Sequence, residues 1–133
     1  MIRAIHTVFC IVLCSLAAPV WAAKYKAPAV IVATLPQYCL AQYIDGLEDD
    51  KRFQIIGCGA YSNHYCPGLV EIAQARKTHN VSKKSELLNS ARKNMEYTLR
   101  GTKDQPNCFL RQEAENNINL INTMLRSIPS RDR

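Results

Sequence analysis

The chain has 133 residues, with 17 Lys and Arg against 11 Asp and Glu, a formal charge of +6 at pH 7 and six cysteines. A chain of this length makes one small domain with a modest core, so cross-links carry a large share of its stability. No two cysteines are spaced C-x-x-C, which removes the main support for a redox motif or a zinc ribbon.

The N-terminus reads as a leader. Arg3 and His6 form a short basic start, and residues 7–18 are an apolar run of signal-sequence length. Val20-Trp21-Ala22 places small residues where signal peptidase reads them, so cleavage is expected after Ala22, with Ala23 the neighbouring alternative. The run is shorter than the roughly 20 apolar residues of a spanning helix, and Pro19 interrupts it. Cys14 follows Val12-Leu13 and lacks the small residue that a lipid-attachment signal wants before its cysteine. The expected location is therefore periplasmic or secreted, with no stable membrane span once residues 1–22 are gone. The remaining 111 residues hold 16 basic and 11 acidic residues, about +5 in all. Such a charge suits anionic partners, although solubility alone also accounts for it. Cys39, Cys58, Cys66 and Cys108 remain, and an even number in a short exported chain reads as two disulfides.

Residues 23–34 form an N-terminal arm, basic and then apolar, expected to be extended or loosely packed. Val30-Ile31-Val32 has strand composition, but no partner strand is evident. The helical domain spans residues 35–128. Pro36 suits a first helical turn, and Tyr38, Cys39, Tyr43, Ile44 and Leu47 recur at helical spacing, so a first helix is predicted over 36–47. Gly46 and the charged run 48–52 end it. Phe53, Ile55 and Ile56 are expected to tuck the next connection against the core.

Residues 58–69 hold two of the four cysteines, two glycines, two tyrosines and His64, and they lead into a helix read as central. That second helix has a firm body over 68–77, with Leu69, Val70, Ile72 and Ala73 inward. Tyr61, Tyr65 and Leu69 recur every fourth residue while Pro67 blocks a backbone bond, so a kinked or two-part helix is expected. Ser82 is the expected cap of a third helix, with Glu86 in its first turn and Leu87, Leu88, Ala91, Met95, Thr98 and Leu99 as its stripe. Gly101 stands where a left-handed cap belongs. A fourth helix is expected over 108–127 with Leu110, Ala114, Ile118, Ile121 and Leu125 inward. Asn116, Asn117, Asn119 and Asn122 crowd its outer side, either as a hydrogen-bonding surface or simply as a soluble one. Residues 129–133 are a charged tail. The fold class is all-α: about four helices in antiparallel hairpins, stapled by disulfides.

Pro36-Gln37-Tyr38-Cys39, His64-Tyr65-Cys66-Pro67-Gly68-Leu69 and Ala91-x-x-x-Met95-Glu96-Tyr97-Thr98-Leu99-Arg100 resemble the motifs of a group of small exported bacterial proteins with tetratricopeptide-like helices. The resemblance covers residues 35–125. Met95 stands where those relatives have an aromatic, and Pro67 where they have tryptophan. It implies a protein-binding or scaffolding module with no catalytic residues.

The residues themselves offer little other chemistry. His64 lies near Cys58 and Cys66, but cysteines in an oxidising compartment are more often bridged than metal-bound. Ser62 and His64, two apart, do not face each other on a helix. The run 48–50 lacks the alternation of a calcium loop, and Asn80-Val81-Ser82 fits a glycosylation acceptor only in a eukaryotic secretory route. No catalytic constellation, cofactor or metal is implied. Tyr61 and Tyr65, on one helical face, are the first candidates for lining a binding groove, with His64, Asn116 and Asn119 as further candidate binding residues. The leading expectation is a non-enzymatic module binding an envelope protein or peptide. The alternative is a cationic binder of anionic envelope polymer or nucleic acid, and an enzyme using His64 ranks third.

The hairpin arithmetic pairs Cys39 with Cys66 and Cys58 with Cys108. A hairpin centred near Phe53 sets Cys39 opposite Cys66, and an up-down array brings the connections bearing Cys58 and Cys108 to one end. The rival pairing is Cys39–Cys58 with Cys66–Cys108.

Overall fold

The computed structural model describes residues 25–129; the proposed leader, the start of the arm and residues 130–133 of the tail lie outside the described residues. The described residues contain a short helix α1 (Ala29–Val32), three 3₁₀ segments (Gln37–Gln42, Lys51–Phe53, Ala60–His64) and three long helices, α2 (Tyr65–Lys77), α3 (Val81–Gly101) and α4 (Leu110–Arg126). No strand occurs among them. Contacts along α2 and α3 run in opposite directions: Tyr61 lies on Gly101, His64 on Asn94, Gly68 on Ala91 and Met95, and Glu71 on Ser90. α4 returns along the other flank of α3. The long helices are thus antiparallel hairpins, and the central one is α3 rather than the helix opened by residues 58–69.

The arm is more ordered than expected. Pro28 precedes α1 with extended backbone, the N–H groups of Ile31 and Val32 bond the Pro28 carbonyl, and both side chains are buried. Val30-Ile31-Val32 is therefore helical and not a strand, because two buried apolar groups against α2 outweigh β propensity in so short a piece. The predicted first helix shrinks to the 3₁₀ segment Gln37–Gln42. Tyr43 leaves helical geometry at φ −125°, and Gly46 turns the chain at φ +85°. Six residues between Pro36 and that break are too few to repay α-helix nucleation, and 3₁₀ bonds suffice over one or two turns.

The two-part second helix is present, as Ala60–His64 followed by α2. Pro67 is the third residue of α2, among the N–H positions with no partner inside a helix, so its missing donor costs nothing. Gly68, Val70, Ile72 and Ala75 are buried, while Leu69 and Ala73 are half-buried. Asn80, not Ser82, caps α3: its Oδ1 accepts from the Lys83 N–H at 2.8 Å. Because α3 starts at Val81, Glu86 falls beyond the first turn and pairs with Lys83 at 2.7 Å. Gly101 is not a left-handed cap. It is the last residue of α3, and Tyr61 occupies the space a Cβ would fill. Of the connection residues, Ile55 packs on the core, while Ile56 remains 58% exposed.

Buried Tyr65, Leu88, Ala91, Met95, Leu110, Ala114 and Ile121 form the core between the long helices. The disulfides Cys39–Cys66 (Cα–Cα 5.6 Å) and Cys58–Cys108 (4.8 Å) join it to the irregular N-terminal part, in the pairing expected from the hairpins. Sequence separations of 27 and 50 correspond to about 3.5 and 4 kcal/mol of unfolded-chain restriction. Replacing Cys58 and Cys108 together by Ser is expected to lower unfolding free energy by about 4 kcal/mol, as read by urea denaturation. All four sulfurs are buried, so dithiothreitol should reduce the wild-type bridges only once urea opens the fold. Rapid reduction in native buffer would contradict this packing.

Candidate functional site

The aromatic stretch after Cys58 divides in two. A 3₁₀ segment has three residues per turn, so residues three apart eclipse and those four apart diverge. Tyr61 and His64 therefore align, and both meet Tyr97 of α3, at ring-centroid distances of 5.8 and 4.0 Å. Tyr65, four after Tyr61, turns into the core and is 2% exposed. The expected common face of Tyr61 and Tyr65 is thus absent: they belong to different environments.

Tyr65 serves the interior. Its hydroxyl donates to Glu113 Oε2 at 2.8 Å, and Tyr38 donates to the same oxygen at 2.6 Å. Asn117 Nδ2 donates to the Tyr65 hydroxyl at 3.1 Å. This network ties the first 3₁₀ segment to α2 and α4. Burial first, then the hydrogen bond to Glu113, pushes both hydroxyls well above the ordinary tyrosine value. Burial first, then proximity to Tyr25 and Glu71, does the same to Tyr43.

Tyr61 is 51% exposed and lies at the edge of a cleft of about 300 Å³ with Tyr97, Arg100, Gly101, Lys103 and Asp104. Behind it, His64 Nδ1 lies 2.8 Å from Asn94 Oδ1, and Asn94 Nδ2 donates to Glu71 Oε2 at 2.9 Å. Ser90 donates to the other Glu71 oxygen at 2.6 Å. Asn94 thus presents an acceptor to His64, so the ring donates from Nδ1. The chain of bonds fixes His64 against Tyr97. The cleft thus brings aromatic faces, two cations and a carboxylate together at an open surface. Ser62, buried, turns its hydroxyl to the Gly59 carbonyl at 2.7 Å and is not aimed at His64.

Asn116 and Asn119 lie apart from this cleft, exposed on α4; Asn116 Oδ1 accepts from Gln112 at 3.2 Å. Asn122 instead lines a groove of about 590 Å³ between α3 and α4 with Ser85, Asn89, Arg92, Leu125 and Arg126. No group of three His, Cys, Asp or Glu among the described residues is placed to hold a metal, and no described helix is long and apolar enough to cross a membrane. Sequence reasoning missed Glu113, Asn94 and Glu71, since each acts across helices, and it named Tyr97 without bringing it to Tyr61 and His64. No family model, curated protein or solved structure matches this chain.

Two outcomes follow from this geometry. In the unfolded chain tyrosines ionise near pH 10, whereas in the fold Tyr38, Tyr43 and Tyr65 hold their protons to higher pH. The folded state then binds more protons, so their contribution is full below about pH 10 and is lost as pH rises above it. Ultraviolet titration should show these three ionising only as the fold opens; ionisation of every tyrosine in a still-folded chain would contradict the burial. Separately, Gly101→Ala should displace Tyr61 from α3 and cost about 1–3 kcal/mol by overpacking. A thermal melt together with the Tyr61 ring signals in NMR would read both effects.

Proposed function

We propose that the protein is a non-enzymatic module, working outside the cytoplasm, that binds a peptide or protein segment at the Tyr61–Tyr97 cleft. The observation that carries this reading is Tyr61 itself. A large ring left half in water is set on the one residue of α3 that has no side chain, beside a second aromatic. Tyrosine in such a position offers broad contact area at small entropic cost and is enriched in binding hot spots. Arg100 and Lys103 border it without ion-pair partners among the described residues, which suits a segment carrying an apolar side chain next to a carboxylate. Export is supported by the two buried disulfides, which persist in oxidising compartments, and by the leader-like sequence of residues 1–22.

Peptide display against the full mature chain, followed by calorimetry with the selected peptides, tests the proposal. Tyr61→Ala should weaken binding by about tenfold or more, the loss of a hot-spot aromatic, with the melting temperature little changed. Asn116→Ala, on the outer side of α4, should leave affinity intact. Selection of no saturable ligand, or equal binding by wild type and Tyr61→Ala, would sink the proposal.

A further inference from the structure

The charges are unevenly placed. The α2–α3 turn and the end of α4 come together at one end of the bundle, where Arg76, Lys77, Lys83, Lys84 and Arg126 gather against Glu86, with Arg92 further along α3 near its middle. The other end carries most of the carboxylates, including Glu48, Asp49, Asp50 and Asp104. Helix dipoles explain only part of this arrangement. Arg76, Lys77 and Arg126 occupy last turns, where cations are favoured. Lys83 and Lys84 occupy the first turn of α3, where they are disfavoured.

The groove between α3 and α4 opens at this basic end. Asn89 holds Arg92 in place: its Oδ1 accepts from Arg92 Nη2 at 3.1 Å while its Nδ2 donates to the Ser85 carbonyl at 2.9 Å. Glu96 stands 3.9 Å from Arg92 Nε, a distance too long to occupy the guanidinium fully. Arg126 lines the groove with Arg92, and its guanidinium makes no hydrogen bond or ion pair among the described residues. Ser85 Oγ and the Asn122 amide supply further donors on the same walls.

We propose that this groove is a second binding site, separate from the Tyr61 cleft, and that it takes a short chain of phosphates in solution. Two planar guanidinium forks, one held in advance, match the oxygens of successive phosphate groups. The space of about 590 Å³ admits more than one oxyanion. A single carboxylate would engage only one fork. Asn89 is a positioning residue here, acting through Arg92.

Calorimetry of the full mature chain with sodium tripolyphosphate tests the site. The expected result is saturable one-to-one binding that weakens as salt is raised. Arg92→Gln and Arg126→Gln should each cost about tenfold or more, the loss of one charge-assisted fork, while Lys51→Gln at the opposite end changes nothing. Both arginines are at the surface, and thermal melts verify that the variants fold. Absence of binding overturns the proposal, as does an equal loss in Lys51→Gln, which would mean unlocalised charge attraction. Citrate binding as tightly as tripolyphosphate would overturn the phosphate class. Binding only to vesicles of phosphatidylglycerol, with none to soluble tripolyphosphate, would place the phosphates in a membrane and overturn the soluble-anion assignment.

Discussion

Residues 25–64 could not hold their conformation alone. They contain one four-residue α-helix, three 3₁₀ segments and turns, and regular hydrogen-bonded structure of that length is marginal in water. Cross-linking to the helical bundle is the constraint on which their geometry depends. Cys39–Cys66 clamps the first 3₁₀ segment to the start of α2, and Cys58–Cys108 clamps the following loop to the start of α4. Between the two bridges lies the segment that bears Tyr61 and His64. Its placement on α3 is therefore set at both ends by covalent bonds, and the small core of the long helices does not have to carry that cost.

A polar network complements the bridges. Glu113 is the shared acceptor for Tyr38 and Tyr65, so one carboxylate connects the N-terminal part, α2 and α4. Partly buried carboxylates are costly unless their oxygens are bonded. Here the bonding groups are tyrosine hydroxyls that also need partners when buried. Glu71 plays the corresponding part between α2 and α3, binding Ser90 and Asn94, and through Asn94 it orients His64. Removal of either carboxylate would strand two donors at once, so each network behaves as a unit.

α3 organises the surface as well as the core. Its C-terminal end supplies Tyr97, Arg100 and Gly101 to the aromatic cleft, and the stretch from its first turns to its middle supplies Ser85, Asn89 and Arg92 to the groove shared with α4. Buried Leu88, Ala91, Met95 and Thr98 hold the two ends in fixed relation. A small residue, Gly68, lets α2 approach α3 closely near the middle, with Met95 Cε at 2.8 Å from the place of a Cβ.

Periodicity along the sequence was enough to locate α2, α3 and α4 to within a few residues and to identify most of their buried faces, because an amphipathic stripe is a local pattern. The same hairpin order yielded the cysteine pairing, since up-down helices leave few ways to bring four cysteines together. Local pattern failed where chain geometry departs from 3.6 residues per turn. Tyr61 and Tyr65 read as one face until the 3₁₀ segment turned the first toward Tyr97 and the second toward Glu113. It failed again at Gly101, a position that looks like a cap in sequence but is small because another segment packs there. The three long helices, most of their inward stripes and the disulfide order were thus determined by the sequence itself. Which aromatic faces solvent, which carboxylate binds which hydroxyl and where the cations converge depended on contacts between residues far apart in the chain, and only the tertiary structure decided them.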